Sequence, residues 1–147
     1  MNGRFAELER EGRIEAISAG RAEVERLHVI VARDIATAEE LQERNRDWSL
    51  AIAYNAILQA CVALMAAYGY RARGERQHAT IVQFARTALP ENERELDRVD
   101  RLRRRRHRTV YDVAGQVSAS EVEDALRLSR QIIPSLQDAA LRILKGE

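Results

Sequence analysis

Residues 48–70 carry no charged side chain, and no other feature of the chain narrows its fold as much. A run of that length has to be kept from water by lipid or by the rest of its own protein, since about 20 apolar residues suffice to cross a bilayer. Ser49, Asn55, Gln59 and Gly69 interrupt the run, small alanines prevail over leucine and phenylalanine, and no second run of the kind follows. A helix apolar nearly all round belongs at the centre of a bundle, with other helices on every side. The expectation is therefore a buried core helix over 48–68, capped by Asp47 and ended by Gly69, in a soluble chain with no membrane contact.

The rest of the chain supplies partners for that helix. Its 7 glycines and 2 prolines are too few for the many turns of a β-sandwich or barrel, and Arg, Ala, Glu and Leu are good helix formers. In residues 21–43, Val24, Leu27, Val31, Ile35, Ala38 and Leu41 recur at steps of three and four, the mark of one buried helical face. Residues 70–76, basic and glycine-containing, read as a loop. A shorter helix follows over about 77–89, with Ile81, Phe84 and Ala85 inward, and Pro90 ends it. A further helix covers about 91–113 until Gly115 breaks it. Ser120 with Glu123 forms a capping box for the last one, whose stripe Val122, Leu126, Ile133, Leu136, Ala140 and Leu144 continues past Pro134, so that proline should kink the helix rather than end it.

The fold class expected is thus all-α, an antiparallel up-and-down bundle of about five helices over 21–147. Residues 1–20 add a short N-terminal helix or arm. At 147 residues, 46% hydrophobic and 32% charged, the chain has the length and balance of one globular domain. The start, MNGRFAELEREGR, has no apolar core of the kind a signal peptide needs, and the lone Cys61 between Ala60 and Val62 reads as a buried inert thiol. Both suit a cytoplasmic protein.

The helix over 91–113 is where chemistry enters, because six arginines fall within 101–108. On a helical wheel with Leu96 at zero, Val99, Leu102, Val110 and Val113 define an inward stripe centred at about 290°. Arg106 falls at about 280°, in the middle of that stripe, and Arg103 at about 340°, on its margin. Arg101, Arg104, Arg105 and Arg108 fall elsewhere and can reach solvent. A guanidinium on a core-facing stripe is costly unless it is paired or opens onto a polar cleft, so Arg106 should be largely buried, with Asp34 and Asp47 the first carboxylates to consider, or should take a phosphate. His107 and Tyr111, four residues apart, lie beside it on one flank.

At these residues the chain resembles a known family. RRRRHRTVYD is similar to the fourth-helix signature of HEPN domains (higher eukaryotes and prokaryotes nucleotide-binding), which reads Arg-Asn-x-x-x-His or, in small stand-alone bacterial members, Arg-Asn-x-x-x-Tyr followed by an acid. Arg106 matches the motif arginine, His107 takes the Asn position and Tyr111 stands where many members have the histidine. Arg101 and His107 also satisfy the looser Arg-x5-His spacing, although Arg101 lies on the other side of the helix. RDWSLAIAYNAILQACVALMAAYGYRARG resembles the family's second helix, and His78, in ERQHATIVQF, stands where many members have a histidine opening the third. The likeness extends over roughly residues 21–145.

The resemblance implies a homodimer with the motif arginines of both subunits facing one cleft. It also implies metal-independent endoribonuclease chemistry in active members, and a role as a toxin paired with a nucleotidyltransferase-type antitoxin or in phage defence. Carried onto this chain, the catalytic candidates are Arg106, His107 and Tyr111, and the RNA-binding candidates are Arg101, Arg103, Arg104, Arg105 and Arg108. Tyr111 departs from the histidine pattern, and a phenol titrating near 10 is a poor base at neutral pH. The family reading therefore stays open between a ribonuclease and a non-catalytic module that binds RNA, a nucleotide or a protein partner. A helical interaction or regulatory domain with no nucleic-acid role is the alternative. No metal or other cofactor is expected: His28, His78 and His107 fall on three different helices, and no glycine-rich phosphate loop or serine elbow is present.

Overall fold

The structure, a computed structural model, describes residues 3–18, 20–111 and 116–147, and side chains throughout these except at 107–111. Among the described residues the chain is an all-α bundle: α1 (Ala6–Arg10), α2 (Arg21–Leu41), α3 (Arg46–Tyr68), α4 (Gln77–Ala88), α5 (Glu93–Tyr111) and α6 (Ala119–Leu144), with two short strands, β1 (Ile14–Ala16) and β2 (Tyr70–Ala72). The chargeless run is α3, and it is the hub. It packs on α2 and α6 along its length and on α4 and α5 beside them. By length and composition α3 could cross a membrane, but 72% of its most apolar window is buried inside the bundle.

Small residues explain how one helix serves so many neighbours. Ala53, Ala56, Ala60 and Ala63 are fully buried on α3, and without side chains to hold the partners off they allow close approach on several faces. Polar groups then fix the register. Ser49 Oγ donates to the Ala38 carbonyl at 2.7 Å, and Asn55 Nδ2 donates to Asp34 Oδ2 at 3.0 Å, each tying α3 to α2. Gly69, at φ 87°, closes α3 in the left-handed conformation and is bonded back to Ala66 and Met65.

The helix starts differ from the sequence reading by small register shifts. Asn45, rather than Asp47, caps α3, its side chain accepting from the Trp48 N–H at 3.1 Å. At α6 the Ser-x-x-Glu pattern occurs twice, two residues apart, and the box forms on Ser118 and Glu121 rather than on Ser120 and Glu123. The reason comes from the neighbouring helix: Arg105 Nε reaches Glu121 Oε2 at 2.6 Å and its other arm binds the Gln116 carbonyl at 3.0 Å. The box therefore settles where an α5 cation can join it. Beyond this cap α6 runs unbroken through Pro134.

That ion pair carries a pH signature. The hydrogen bond from Arg105, opposed by partial burial and aided by the Ser118 N–H, holds the Glu121 carboxyl at about 2 against an ordinary 4.5. A carboxyl lowered in the folded state stabilises above its unfolded value and loses that contribution as pH falls from about 4.5 toward 2. Glu121→Gln should therefore flatten the acid limb of stability and cost about 1 kcal/mol at neutral pH, screening by solvent having reduced the full shift. Urea unfolding of both proteins between pH 2 and 7 reads this directly. Parallel curves would contradict it.

Residues 3–16 are tied into the bundle. Phe5, Leu8 and Ile14 are all buried. Phe5 stacks on Phe84 of α4 at 3.9 Å between ring centroids and meets Tyr68 and Tyr70 edge-on. β1 pairs antiparallel with β2, Ile14 opposite Ala72 and Ala16 opposite Tyr70, so the segment read as a loop over 70–76 in fact opens with a strand. Bonds from Ile17 to Gly69 and from Arg73 to Arg13 extend the ribbon at both ends. Three-residue strands leave no periodicity to read, which is why the sequence shows only Ile14 and Tyr70 as apolar outliers among charges.

Candidate functional site

α5 is held to the bundle by the stripe its sequence marks: Leu96 and Val99 are fully buried and Leu102 is buried. One turn beyond Leu102 the same stripe reaches Arg106, which is half-buried rather than largely so. Its guanidinium carbon lies 5.9 Å from the centroid of the Tyr54 ring, within cation–π range. Tyr54 comes from the middle of α3 and is fully buried, and its hydroxyl sits 3.1 Å from His78 Nδ1. His78, in the first turn of α4, is half-buried beside it, with the two rings 5.8 Å apart. Three helices thus converge on one polar cluster, where a cation takes a place on an apolar stripe.

Arg103 and Asp100 complete the cluster on the α5 side. Arg103 Nε donates to Asp100 Oδ1 at 2.9 Å, and Arg104 binds the other carboxylate oxygen from one turn on. Burial works against the Asp100 charge, yet the bonds and charges of Arg103 and Arg104 hold its pKa below the ordinary value. The fields of the two inward arginines also reach the neighbouring rings. Burial first, then Arg106 and Arg103, push His78 below its usual 6.5, so its imidazole is neutral at physiological pH. Burial pushes the Tyr54 phenol far above its ordinary range, against the pull of Arg103 and Arg106, so it keeps its proton. Cations, a neutral imidazole and an un-ionised hydroxyl in one half-buried place suit an anion whose reaction involves a proton.

The arginine run divides between two sides of α5. Arg103 and Arg106 face α3 and α4. Arg101 and Arg105, with Arg98, line a groove of about 340 Å3 against α6, floored by Leu50 and Leu102 and edged by Glu121 and Asp124. Arg105 is held there by Glu121, with the charge of Asp47 adding to the field on it. Arg101 and Arg104 are exposed, Arg104 on the Asp100 carboxylate. Asp34 is taken by Asn55 and by Arg33, whose Nη2 is 3.0 Å from it. The carboxylate beside Arg103 is Asp100, which Arg103 and Arg104 bind from spacings of three and four on the same helix, a pairing the sequence displays openly. The side chains of His107, Arg108, Val110 and Tyr111 lie outside the described set, as do Val113 and Gly115.

Tyr54 and His78 enter the site from the structure. Tyr54 reads in sequence as one more position of an apolar helix, and the only signal against that is chemical: a buried tyrosine hydroxyl needs a partner, and here the partner is His78. Among the described residues, no three His, Cys, Asp or Glu side chains gather as a metal would require.

Fold and site together define a helical bundle whose one arginine-rich helix presents cations to a histidine and a tyrosine from two neighbouring helices. The family model of the HEPN domain matches residues 25–138, most of the length from α2 into α6, and the chain belongs to that family. At the level of family this makes it a HEPN-like RNA-associated protein. Searches of characterised proteins and of solved structures found no match.

Proposed function

We propose that this chain is a metal-independent endoribonuclease of the HEPN family, acting on single-stranded RNA at the cluster formed by Arg103, Arg106, Tyr54 and His78. The observation that carries the reading is the placement of the Arg106 guanidinium over Tyr54, whose hydroxyl touches the neutral imidazole of His78. Cleavage of RNA by its own 2′-hydroxyl needs a group that takes a proton and a fixed positive charge for the phosphorane, and no further reagent. The exposed arginines Arg101 and Arg104, with Arg108, supply phosphate contacts along the strand, and the family motif adds His107 and Tyr111 as catalytic candidates. In the cell it acts as the effector of a toxin–antitoxin pair or a phage-defence system, as a cytoplasmic homodimer restrained by a nucleotidyltransferase-type partner. Tyr111 at the family's histidine position favours one other reading, a module that binds RNA without cutting it.

Two measurements separate these. Cleavage of a labelled RNA by the purified protein should be unchanged by excess EDTA, whereas a loss of cleavage that magnesium restores would refute the metal-independent reading. Binding should weaken with salt by about 0.7 logarithmic units per phosphate contact for each tenfold rise. Replacing Arg101 and Arg104 together by glutamine should lower that slope by about 1.4 units and weaken all sequences alike. RNA binding insensitive to salt at low ionic strength would leave the arginine helix without a nucleic-acid role.

A further inference from the structure

We propose that His78, positioned by Tyr54, takes the proton from the attacking 2′-hydroxyl, a task the family pattern would give to the residue at position 111; the inference rests on the ribonuclease reading above. It starts from where the imidazoles stand. His78 opens α4, outside the arginine helix, and is brought to the site by the packing of α4 on both α3 and α5. Its Nδ1 is 3.1 Å from the Tyr54 hydroxyl. In the tautomer whose Nδ1–H donates to the Tyr54 oxygen, the lone pair of the imidazole stands on Nε2, the nitrogen then able to take a proton. A base needs this arrangement: one nitrogen held, the other nitrogen unprotonated, and a hydroxyl behind it that does not itself ionise.

The surroundings fit a substrate. A groove of about 560 Å3 runs between α4 and α5, lined by Ala79, the residue after His78, by Gln83, Arg86 and Thr87, and by Asp100, a volume that suits a nucleoside. The entry to α4 is held by Arg76 in a left-handed conformation, at φ 58° and ψ 40°, which a non-glycine residue adopts at a cost. That strain sits two residues from the proposed base. Among the described residues, the titratable and charged groups that act on His78 are Tyr54 from α3 and Arg103 and Arg106 from α5, with Asp100 paired to Arg103 and Arg76 two positions before it in the chain.

The step balances without any added reagent. The 2′-oxygen forms its bond to phosphorus as the phosphorus–5′-oxygen bond breaks. The 2′-hydroxyl proton passes to His78 Nε2, and the leaving 5′-oxygen takes a proton from solvent. The products are a 2′,3′-cyclic phosphate and a 5′-hydroxyl, and His78 then returns its proton to water. Arg106 and Arg103 face the charge that builds on the phosphoryl oxygens.

The test is the pH dependence of single-turnover cleavage of a short RNA by the full chain, wild type and variants, with folding checked by thermal melts. In the wild type the rate should rise with pH through an acid limb below 6.5, because both burial and the arginines hold His78 low. His78→Gln, which keeps an amide for Tyr54, should lower the plateau by about 10²–10⁴-fold and abolish that limb. His107→Ala and Tyr111→Phe should each retain the limb at its wild-type position, whatever they do to the rate. Tyr54→Phe should lower the plateau about tenfold and move the limb to lower pH, since the lost bond favours the protonated imidazole. A limb that persists in His78→Gln and vanishes in His107→Ala or Tyr111→Phe overturns the inference while leaving the ribonuclease reading intact. A wild-type protein that cuts no RNA overturns the ribonuclease reading and this inference with it.

Discussion

Replacing Arg106 by alanine should slow RNA cleavage by about 10²–10³-fold while weakening RNA binding by less than about tenfold. The asymmetry follows from where the residue sits. Arg106 lies on α5's inward stripe, half-buried and against the Tyr54 ring, so its guanidinium is presented to the cluster rather than to the length of a strand. A charge fixed in a partly dehydrated place stabilises a transient dianionic phosphorane more than a ground-state phosphate. Arg106→Lys sharpens the test: it keeps the charge but loses the planar fork and the ring stacking, so it should recover less than a tenth of the lost rate. Equal losses of binding and cleavage in the alanine variant would mean that Arg106 only holds RNA. Single-turnover rates measured beside equilibrium binding distinguish the two.

Phe5→Ala should destabilise the domain by about 3–5 kcal/mol, lowering the melting temperature by roughly 10 °C. Phe5 is fully buried, stacked on Phe84 and edged by Tyr68 and Tyr70 at the end of α3. Removing it opens a cavity between the ends of α3 and α4, and the surrounding rings cannot all collapse into it. The same change should loosen the turn that carries His78, because Phe5 packs on the helix that His78 opens. A melting temperature within 2–3 °C of wild type would show that the first residues lie on the bundle without supporting it.

How much of this could be read in the sequence follows from which interactions are periodic. The stripes on α2, α5 and α6 and the chargeless α3 are local patterns, and burial at Val24, Leu27, Leu96, Val99, Val122 and Leu126 follows them. Arg106 was legible for the same reason, since a wheel projects a helix's own side chains well. Contacts between elements were not. The choice between two capping serines turned on Arg105 reaching across from another helix. The pairing of residues 14–16 with 70–72 is a long-range event between strands too short to alternate. Tyr54 and His78 lie 24 positions apart and meet only because α4 folds back along α3. Part of a site built from one residue per helix is invisible until the helices are packed; the part on α5, where two arginines and their aspartate share one helix, is not.

The most direct measurement of the central claim is the chemistry of the cut ends. A synthetic RNA incubated with the purified chain in EDTA, and a matched oligonucleotide with 2′-deoxy sugars throughout, can be read by mass spectrometry. The account predicts fragments ending in 2′,3′-cyclic phosphates with 5′-hydroxyl partners, an intact deoxy strand, and loss of both products in Arg106→Ala and His78→Gln. Fragments with 3′-hydroxyl and 5′-phosphate ends, or cleavage of the deoxy strand, would contradict it.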